Sequence, residues 1–286
     1  MTIDVDAYLR RLGITDPGRP SVSALRTLHK AHVERIPYEA LDIQLGRITS
    51  IDPHDSAARI TELGRGGYCY HLNGALSLLL QELGYEVVWH RAGVQTPGEE
   101  TPGSQRANHL GLTVRNLPSP ESPSGDWLVD AGLGDGIHGP LPLRNGEYRE
   151  GPFRFRLRPS ETDPGGWRFD HDPGGSFAGI DFAPEPATLA DFTDRHVYLS
   201  TSPESGFVRT CVVQRRDADG VDTMRGCTLL RTGDSTPRTI NDQAEWFAAL
   251  ADIFDLAPTD LTQPDRDALW QRVRATHEAW QATRSA

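Results

Sequence analysis

The stretch RGGYCYHLNGAL, residues 65–76, places Cys69 just after two glycines and at the start of an apolar run. The segment that follows, LNGALSLLLQELG, carries leucines at helical spacing, and Gly84 suits the left-handed position that ends a helix. Cys69 is therefore predicted to lie at or just before a helix N-terminus. Free backbone N–H groups and the helix dipole favour a thiolate at such a place.

The two glycines before the cysteine, Gly66 and Gly67, lack a Cβ atom. We expect them to allow a tight turn and to leave room for a substrate beside the sulfur. The alternative interpretation is that Cys69 is a small buried residue that begins a core helix, as most free cysteines are buried and inert.

The composition is that of a globular protein with a substantial core: of its 286 residues, 37% are hydrophobic and 24% are charged. A net charge of -11 disfavours nucleic acid as a partner. No basic and apolar leader opens the sequence and no long apolar run follows, so we expect a cytoplasmic protein with no membrane partner. Cys69, Cys211 and Cys227 cannot all pair, which fits a reducing compartment.

The periodicity of apolar residues changes along the chain. About the first ninety residues have helical spacing, with Asp4 and Ser21 placed as N-caps and Pro37 placed to stop the second helix. From about residue 85, short β-rich runs such as YEVVWHRAGV, HLGLTV and FRFRLR alternate with Pro/Gly/Ser clusters. These runs predict a sheet, antiparallel or barrel-like, and two further strands and two terminal helices are predicted after residue 206.

A cysteine nucleophile needs a base that takes its proton and a third group that orients this base. His109 opens the strand HLGLTV, and Asp130 ends the strand in DWLVDAGL. Two neighbouring strands could hold both side chains against the start of the helix. Taken alone, His109 is equally a polar residue at a strand edge and Asp130 a turn-forming aspartate.

Metal and phosphate sites have weaker support. His29 and His32 are three residues apart on a helix, but no third ligand accompanies them. A zinc site formed by His71 with Cys69 and His109 stays a minor alternative, and the prediction is that no metal is bound. GLGDG at 132–136 is a weak phosphate-binding signal, since such loops are usually only turns.

Several separated motifs together resemble the arylamine N-acetyltransferase family. They are HVERIPYEALDI (32–43), RGGYC (65–69), NHLGLTV (108–114), VDAGLGD (129–135) and YLSTSPESGFVR (198–209). The resemblance runs from about residue 5 to about residue 232. It implies an α+β fold with an N-terminal helical bundle, a central antiparallel β-barrel and a C-terminal α/β lid, in which Cys, His and Asp are arranged as in cysteine proteases. We place these three parts at 1–90, 91–205 and 206–286.

The resemblance also implies a role for each matching residue. Cys69 would accept the acyl group, His109 would be its base and Asp130 the orienting carboxylate. The remaining matches would line the substrate pocket (Tyr38, Tyr70, Phe207) or lie near the donor's phosphates (Gly132, Gly134). The implied reaction is a two-step, ping-pong transfer from acetyl-CoA or another acyl-CoA to an aromatic amine, hydrazine or related amine, with no permanently bound cofactor.

The sequence departs from the family pattern around the nucleophile, at Ala40, His71, Leu72 and Asp135. We expect the carboxylate of Asp135 to repel an anionic donor, and we expect the four changes together to favour a more specialised donor or acceptor than acetyl-CoA and simple arylamines. The alternative is that these positions face the interior and were repacked.

Three rival functions stay open from the sequence. An amide synthase of the same superfamily would use a donor bound to an acyl carrier protein. A thiol hydrolase would share the Cys-His-Asp arrangement, and a binding module would carry an inert thiol.

Overall fold

A computed structural model describes residues 2–285, with side chains described for residues 2–283. Helices occur at both ends of the chain and between the two sheets. They are α1 (Val5–Leu12), α2 (Val22–Arg35), α3 (Leu41–Gln44), α4 (Pro53–Leu63), α5 (Cys69–Glu82), α6 (Ala190–Thr201), α7 (Gly206–Arg209), α8 (Gln243–Phe254) and α9 (Gln263–Ser285).

The ends of the first helices are set by local residues, as predicted. Asp4 accepts a hydrogen bond from the N–H of Ala7, and Ser21 accepts one from the N–H of Ala24. Helix α2 ends at Arg35, shortly before Pro37, which has no N–H to continue it. The apolar faces of α1, α2, α4 and α5 pack into one core, and this bundle holds the start of α5 in place.

The strands form two antiparallel sheets. They are β1 (Tyr38–Glu39), β2 (Glu86–Gln95), β3 (His109–Arg115), β4 (Trp127–Val129), β5 (Leu141–Pro142), β6 (Gly146–Glu150), β7 (Phe153–Pro159), β8 (Trp167–Asp170), β9 (Gly179–Pro186), β10 (Val212–Arg216), β11 (Val221–Arg225), β12 (Thr228–Arg231) and β13 (Arg238–Thr239).

Within residues 2–285, the larger sheet has eight strands in the order β5-β4-β3-β2-β9-β8-β7-β6. Its edge strands β5 and β6 follow each other in the chain, and the Tyr148 hydroxyl on β6 donates to the carbonyl of Pro142 on β5 at 3.0 Å. The sheet is therefore nearly closed into the predicted antiparallel barrel. Strand β3 lies against α5 and is buried from His109 to Val114, which brings its first residue close to the start of that helix.

The smaller sheet has the order β1-β10-β11-β12-β13 within the same described residues. Its apolar core is shared with α8 and α9, and it includes Trp246, Leu250 and Trp270. Strand β1 comes from the N-terminal part of the chain, with Tyr38 opposite Gln214. The predicted fold class is confirmed, whereas the division at residues 90 and 205 stays a prediction.

Among the residues that the structure describes, no helix has both the length and the apolar character needed to cross a bilayer.

Candidate active site

Cys69 is the first residue of α5, as the sequence predicts, and it is 3% exposed. Tyr68 is the N-cap, and its side chain makes no capping hydrogen bond, so the free N–H groups of the first turn are not satisfied by that side chain. The sulfur lies 3.6 Å from the carbonyl oxygen of Asn108, the residue before His109.

Gly66 and Gly67 each have a packing reason in the structure. A Cβ atom on Gly66 would lie 1.7 Å from the carbonyl oxygen of Pro37, and one on Gly67 would lie 2.6 Å from Cβ of His71. Neither glycine lines the cavity beside Cys69. Neighbouring chain segments approach both positions closely enough to exclude a side chain, and the expected room for a substrate stays a prediction.

His109 and Asp130 meet as predicted from their strands. Strands β3 and β4 are neighbours in the barrel, and Nε2 of His109 lies 2.6 Å from Oδ2 of Asp130, with both side chains buried. Burial lowers the pKa of His109, but the charge of Asp130 and hydrogen bonds to Asp130 and Cys69 outweigh it and raise this pKa to about 10. Because Nε2 faces Asp130, Nδ1 is the ring nitrogen that can exchange a proton with the sulfur of Cys69.

Two further residues hold Asp130, and the sequence does not single them out for this role. Asn73, one turn after Cys69 on α5, donates from Nδ2 to Oδ1 of Asp130 at 2.8 Å and accepts from the N–H of Ala131 at 2.8 Å. His29 of α2 accepts from the N–H of Asp130 at 3.2 Å. Asn73 lies four residues after Cys69 and therefore on the same helix face, and this spacing could have pointed to it as a site residue.

A cavity of about 780 Å³ opens onto Cys69 and His109. Its volume lies in the range of small-molecule sites. Tyr38 and Phe207, both predicted to line the pocket, are on its wall, as is Gly132. The structure therefore brings together most of the residues singled out from the sequence.

Tyr70 is placed elsewhere. It is 1% exposed, packs on Phe192 and donates from its hydroxyl to the carbonyl of Ala107 at 2.6 Å. It is absent from the cavity wall, so its position lends no support to the predicted substrate contact. Gly134 has φ of 74°, and a Cβ there would lie 2.2 Å from Oε1 of Gln214, which gives a packing reason for that glycine.

The departures from the family pattern lie mostly in the interior. Ala40 and Leu72 are buried, and His71 is buried with Nε2 2.9 Å from the Thr49 hydroxyl. Burial lowers the pKa of His71 to about 3, so the ring is neutral. Of the four changed positions, Asp135 alone lies on the cavity wall.

The carboxylate of Asp135, which we expect to repel an anionic donor, is hydrogen-bonded to the protein. Its oxygens accept hydrogen bonds from the N–H of Ser176 at 2.7 Å and from the Ser176 hydroxyl at 2.8 Å. The carboxylate fixes the segment around Ser176 to the cavity wall, and these bonds offset part of its capacity to repel an anion.

Two other histidines and the two other cysteines are buried in the protein interior. His29 and His32 bond to protein groups, and no group of three or more His, Cys, Asp or Glu among residues 2–285 is placed to hold a metal ion. Cys211 and Cys227 are buried, and burial raises the pKa of Cys211 strongly and that of Cys227 to about 11. A neutral thiol is a poor nucleophile, so neither competes with Cys69.

Comparison with known proteins identifies the family. Residues 21–261 match the family model described as N-acetyltransferase. The chain is also 30% identical to an arylamine N-acetyltransferase of Mycolicibacterium smegmatis, over 94% of this chain and 97% of that protein. The chain belongs to the arylamine N-acetyltransferase family. The family and the enzyme class, an acyltransferase, are thus as predicted.

Arylamine N-acetyltransferases use acetyl-CoA as co-substrate, and one similar structure, that of the Mycobacterium marinum enzyme, was solved in complex with CoA. It has a TM-score of 0.80 and 26% identity, covering 94% of this chain and 98% of that one. A third similar protein is the proansamycin X synthase of Amycolatopsis mediterranei, which is 32% identical over 56% of this chain and 60% of that protein.

Proposed function

We propose that this protein transfers an acyl group from an acyl-CoA, acetyl-CoA in the simplest case, to an aromatic amine, hydrazine or related amine through a thioester on Cys69. In the first half-reaction the Cys69 thiolate attacks the thioester carbon, and CoA leaves as a thiolate that takes the proton of His109. In the second, the amine attacks the Cys69 thioester, His109 removes the proton of the amine, and Cys69 leaves as a thiolate.

The observation that carries this proposal is that Cys69 and His109 share the wall of one cavity while Asp130 holds the histidine from behind. Use of this one cavity by both donor and acceptor suits a ping-pong order, because the CoA product must leave before the amine can reach the thioester. The cavity wall also carries Arg209 and Arg225, whose charges suit the phosphates of an acyl-CoA.

The experiment is mass spectrometry of the intact protein after incubation with a panel of acyl-CoAs. The wild type should gain the mass of one acyl group, and so should the control variants Cys211→Ser and Cys227→Ser. Cys69→Ala should gain none. An acyl mass that persists on Cys69→Ala contradicts the proposal.

For the acceptor, we propose that Tyr38 and Phe207 stack on a flat amine. Their rings are 6.3 Å apart, and both line the cavity. The interior positions of Ala40 and His71 favour repacking over a change of acceptor. Asp135 remains the departure through which a specialised substrate could be selected. Steady-state rates with acetyl-CoA and a series of anilines and hydrazines test this. A kcat/KM of about 10⁴ M⁻¹s⁻¹ or more indicates ordinary arylamine transfer.

A second candidate is an amide synthase that takes its acyl group from a carrier protein. The similarity to proansamycin X synthase is the observation that favours it. Presenting the same acyl group on CoA and on an acyl carrier protein separates the two functions. Faster acylation of Cys69 by the carrier-bound form would support the synthase.

A further inference from the structure

The backbone N–H of Asp130 has an unusual partner. Asp130 follows the last residue of β4 and is 4% exposed, so its N–H lies outside the strand and has little access to solvent. It donates instead to Nε2 of His29, at 3.2 Å. A buried N–H without an acceptor is costly, so this side chain meets a requirement of the backbone.

The surroundings of His29 fix which of its nitrogens accepts. Nδ1 lies 3.0 Å from the carbonyl oxygen of His138, and a carbonyl can only accept, so Nδ1 carries the hydrogen. Nε2 is then the free acceptor of a neutral ring. The ring is fully buried, and burial lowers the pKa of His29 to about 4, so it stays neutral near pH 7.

The far side of this contact is anchored as well. The N–H of His138 donates to Oε2 of Glu150 on β6 at 2.6 Å, and Nε2 of its ring lies 2.6 Å from Oε1 of Glu34 on α2. His29 is thus held between a fixed carbonyl and the backbone of Asp130. The connection runs through a backbone carbonyl and a backbone N–H, so it cannot relay a proton, and its effect is geometric.

We propose that His29 is a positioning residue of the triad, whose neutral Nε2 fixes the backbone of Asp130 so that Oδ2 stays aimed at His109. The carboxylate is held separately: Oδ1 accepts from Nδ2 of Asn73 and from the N–H of Gly132 at 3.0 Å. Backbone and side chain together leave Asp130 one orientation. The inference rests on the proposed cysteine mechanism, since it concerns the base of that mechanism.

The test compares two replacements of similar shape. In His29→Gln the amide oxygen can still accept from the N–H of Asp130, whereas in His29→Met no comparable acceptor is present. His32 provides the matched control: it is on the same helix, equally buried, and bonded through Nε2 to the Tyr8 hydroxyl at 2.9 Å. The variants His32→Gln and His32→Met change the core without touching the triad.

Single-turnover acylation of Cys69 by acetyl-CoA is measured against donor concentration, with urea unfolding of each variant alongside. His29→Met should lower the maximal rate by about 10-fold or more, equivalent to about 1.4 kcal/mol, and leave the half-saturating donor concentration unchanged. His29→Gln should recover most of the rate. Both His32 variants should keep the wild-type rate whatever their stability.

The inference is overturned if His29→Met acylates at the wild-type rate, if His29→Gln is as slow as His29→Met, or if His32→Met is slowed equally. Should His29→Met not fold, His29→Gln decides alone: a wild-type rate supports the inference and a 10-fold loss overturns it. A wild type that is never acylated counts against the proposed function instead.

Discussion

Replacing Asp130 with asparagine should invert the hydrogen bonding of His109. Oδ1 of Asp130 accepts from two N–H donors, Nδ2 of Asn73 at 2.8 Å and the N–H of Gly132 at 3.0 Å. The amide oxygen of asparagine must therefore take that place, and its NH₂ group then faces Nε2 of His109. An NH₂ group donates, so Nε2 must accept, and the hydrogen moves to the nitrogen that faces the sulfur.

The magnitude follows from the pKa of His109. A pKa of about 10 keeps roughly 99% or more of the His109 side chain protonated near pH 7. Without the charge of Asp130, burial opposes the charged ring and only the contacts with Cys69 still favour it, so the pKa of His109 falls and less of the ring is charged near pH 7. The wrong tautomer adds to this loss, and the corresponding change in a serine-protease triad lowers kcat by about 10⁴. We expect acylation of Cys69 to fall by about 10²- to 10⁴-fold.

The assay is single-turnover acylation by acetyl-CoA, read by intact-protein mass spectrometry. Asp126→Asn, the same change at a half-buried position just before β4, is the control and should keep the wild-type rate. Urea unfolding should show that Asp130→Asn remains folded. A folded Asp130→Asn protein that acylates as fast as the wild type would refute the assignment of Asp130.

Three other changes test the site. A Cβ on Gly132 would lie 2.7 Å from Cα of Cys69, so Gly132→Ala should lower the free energy of unfolding by about 1–3 kcal/mol and slow acylation. A Cβ on Gly74 would have its nearest contact at 3.7 Å, so the control Gly74→Ala should do neither. Asn73→Leu removes the support of the triad carboxylate and should slow acylation by about 10-fold, unlike Ser77→Ala on the same helix. The folded pKa of His109, about 10, exceeds its unfolded value near 6.5. Its contribution to stability is therefore full below about pH 6.5 and lost as the pH rises through about 10, so the stability gap between wild type and Asp130→Asn in urea should narrow over that range.

The sequence predicts best those features that depend on neighbouring residues. The start of α5 at Cys69 follows from the leucine period and the glycines, and the capping roles of Asp4 and Ser21 need only the next turn. The strands that begin at His109 and end before Asp130 are likewise local.

Features that depend on the packing of distant segments could not be predicted in this way. His29 holds Asp130 across 101 positions of sequence, and nothing in the helix around it points to that partner. Tyr70 is adjacent to the nucleophile in sequence, but neighbouring residues on a helix point about 100° apart, and its ring therefore enters the core. Asp135 became a bound carboxylate only because the loop with Ser176 folds onto it.

The pairing of β1 with β10 has a consequence for the order in which the protein is made. Tyr38 is synthesised well before its strand partner Gln214, because many other elements lie between them in the sequence. In the folded protein Tyr38 also bridges Gly67, in the segment that leads to the thiol. Until β10 has been made, the other edge of β1 has no strand partner. Closing so long a loop costs entropy and slows folding. The helix, the base and the carboxylate are all encoded before residue 131, but the wall of their cavity includes residues as late as Asp234 and is completed only when these have been made.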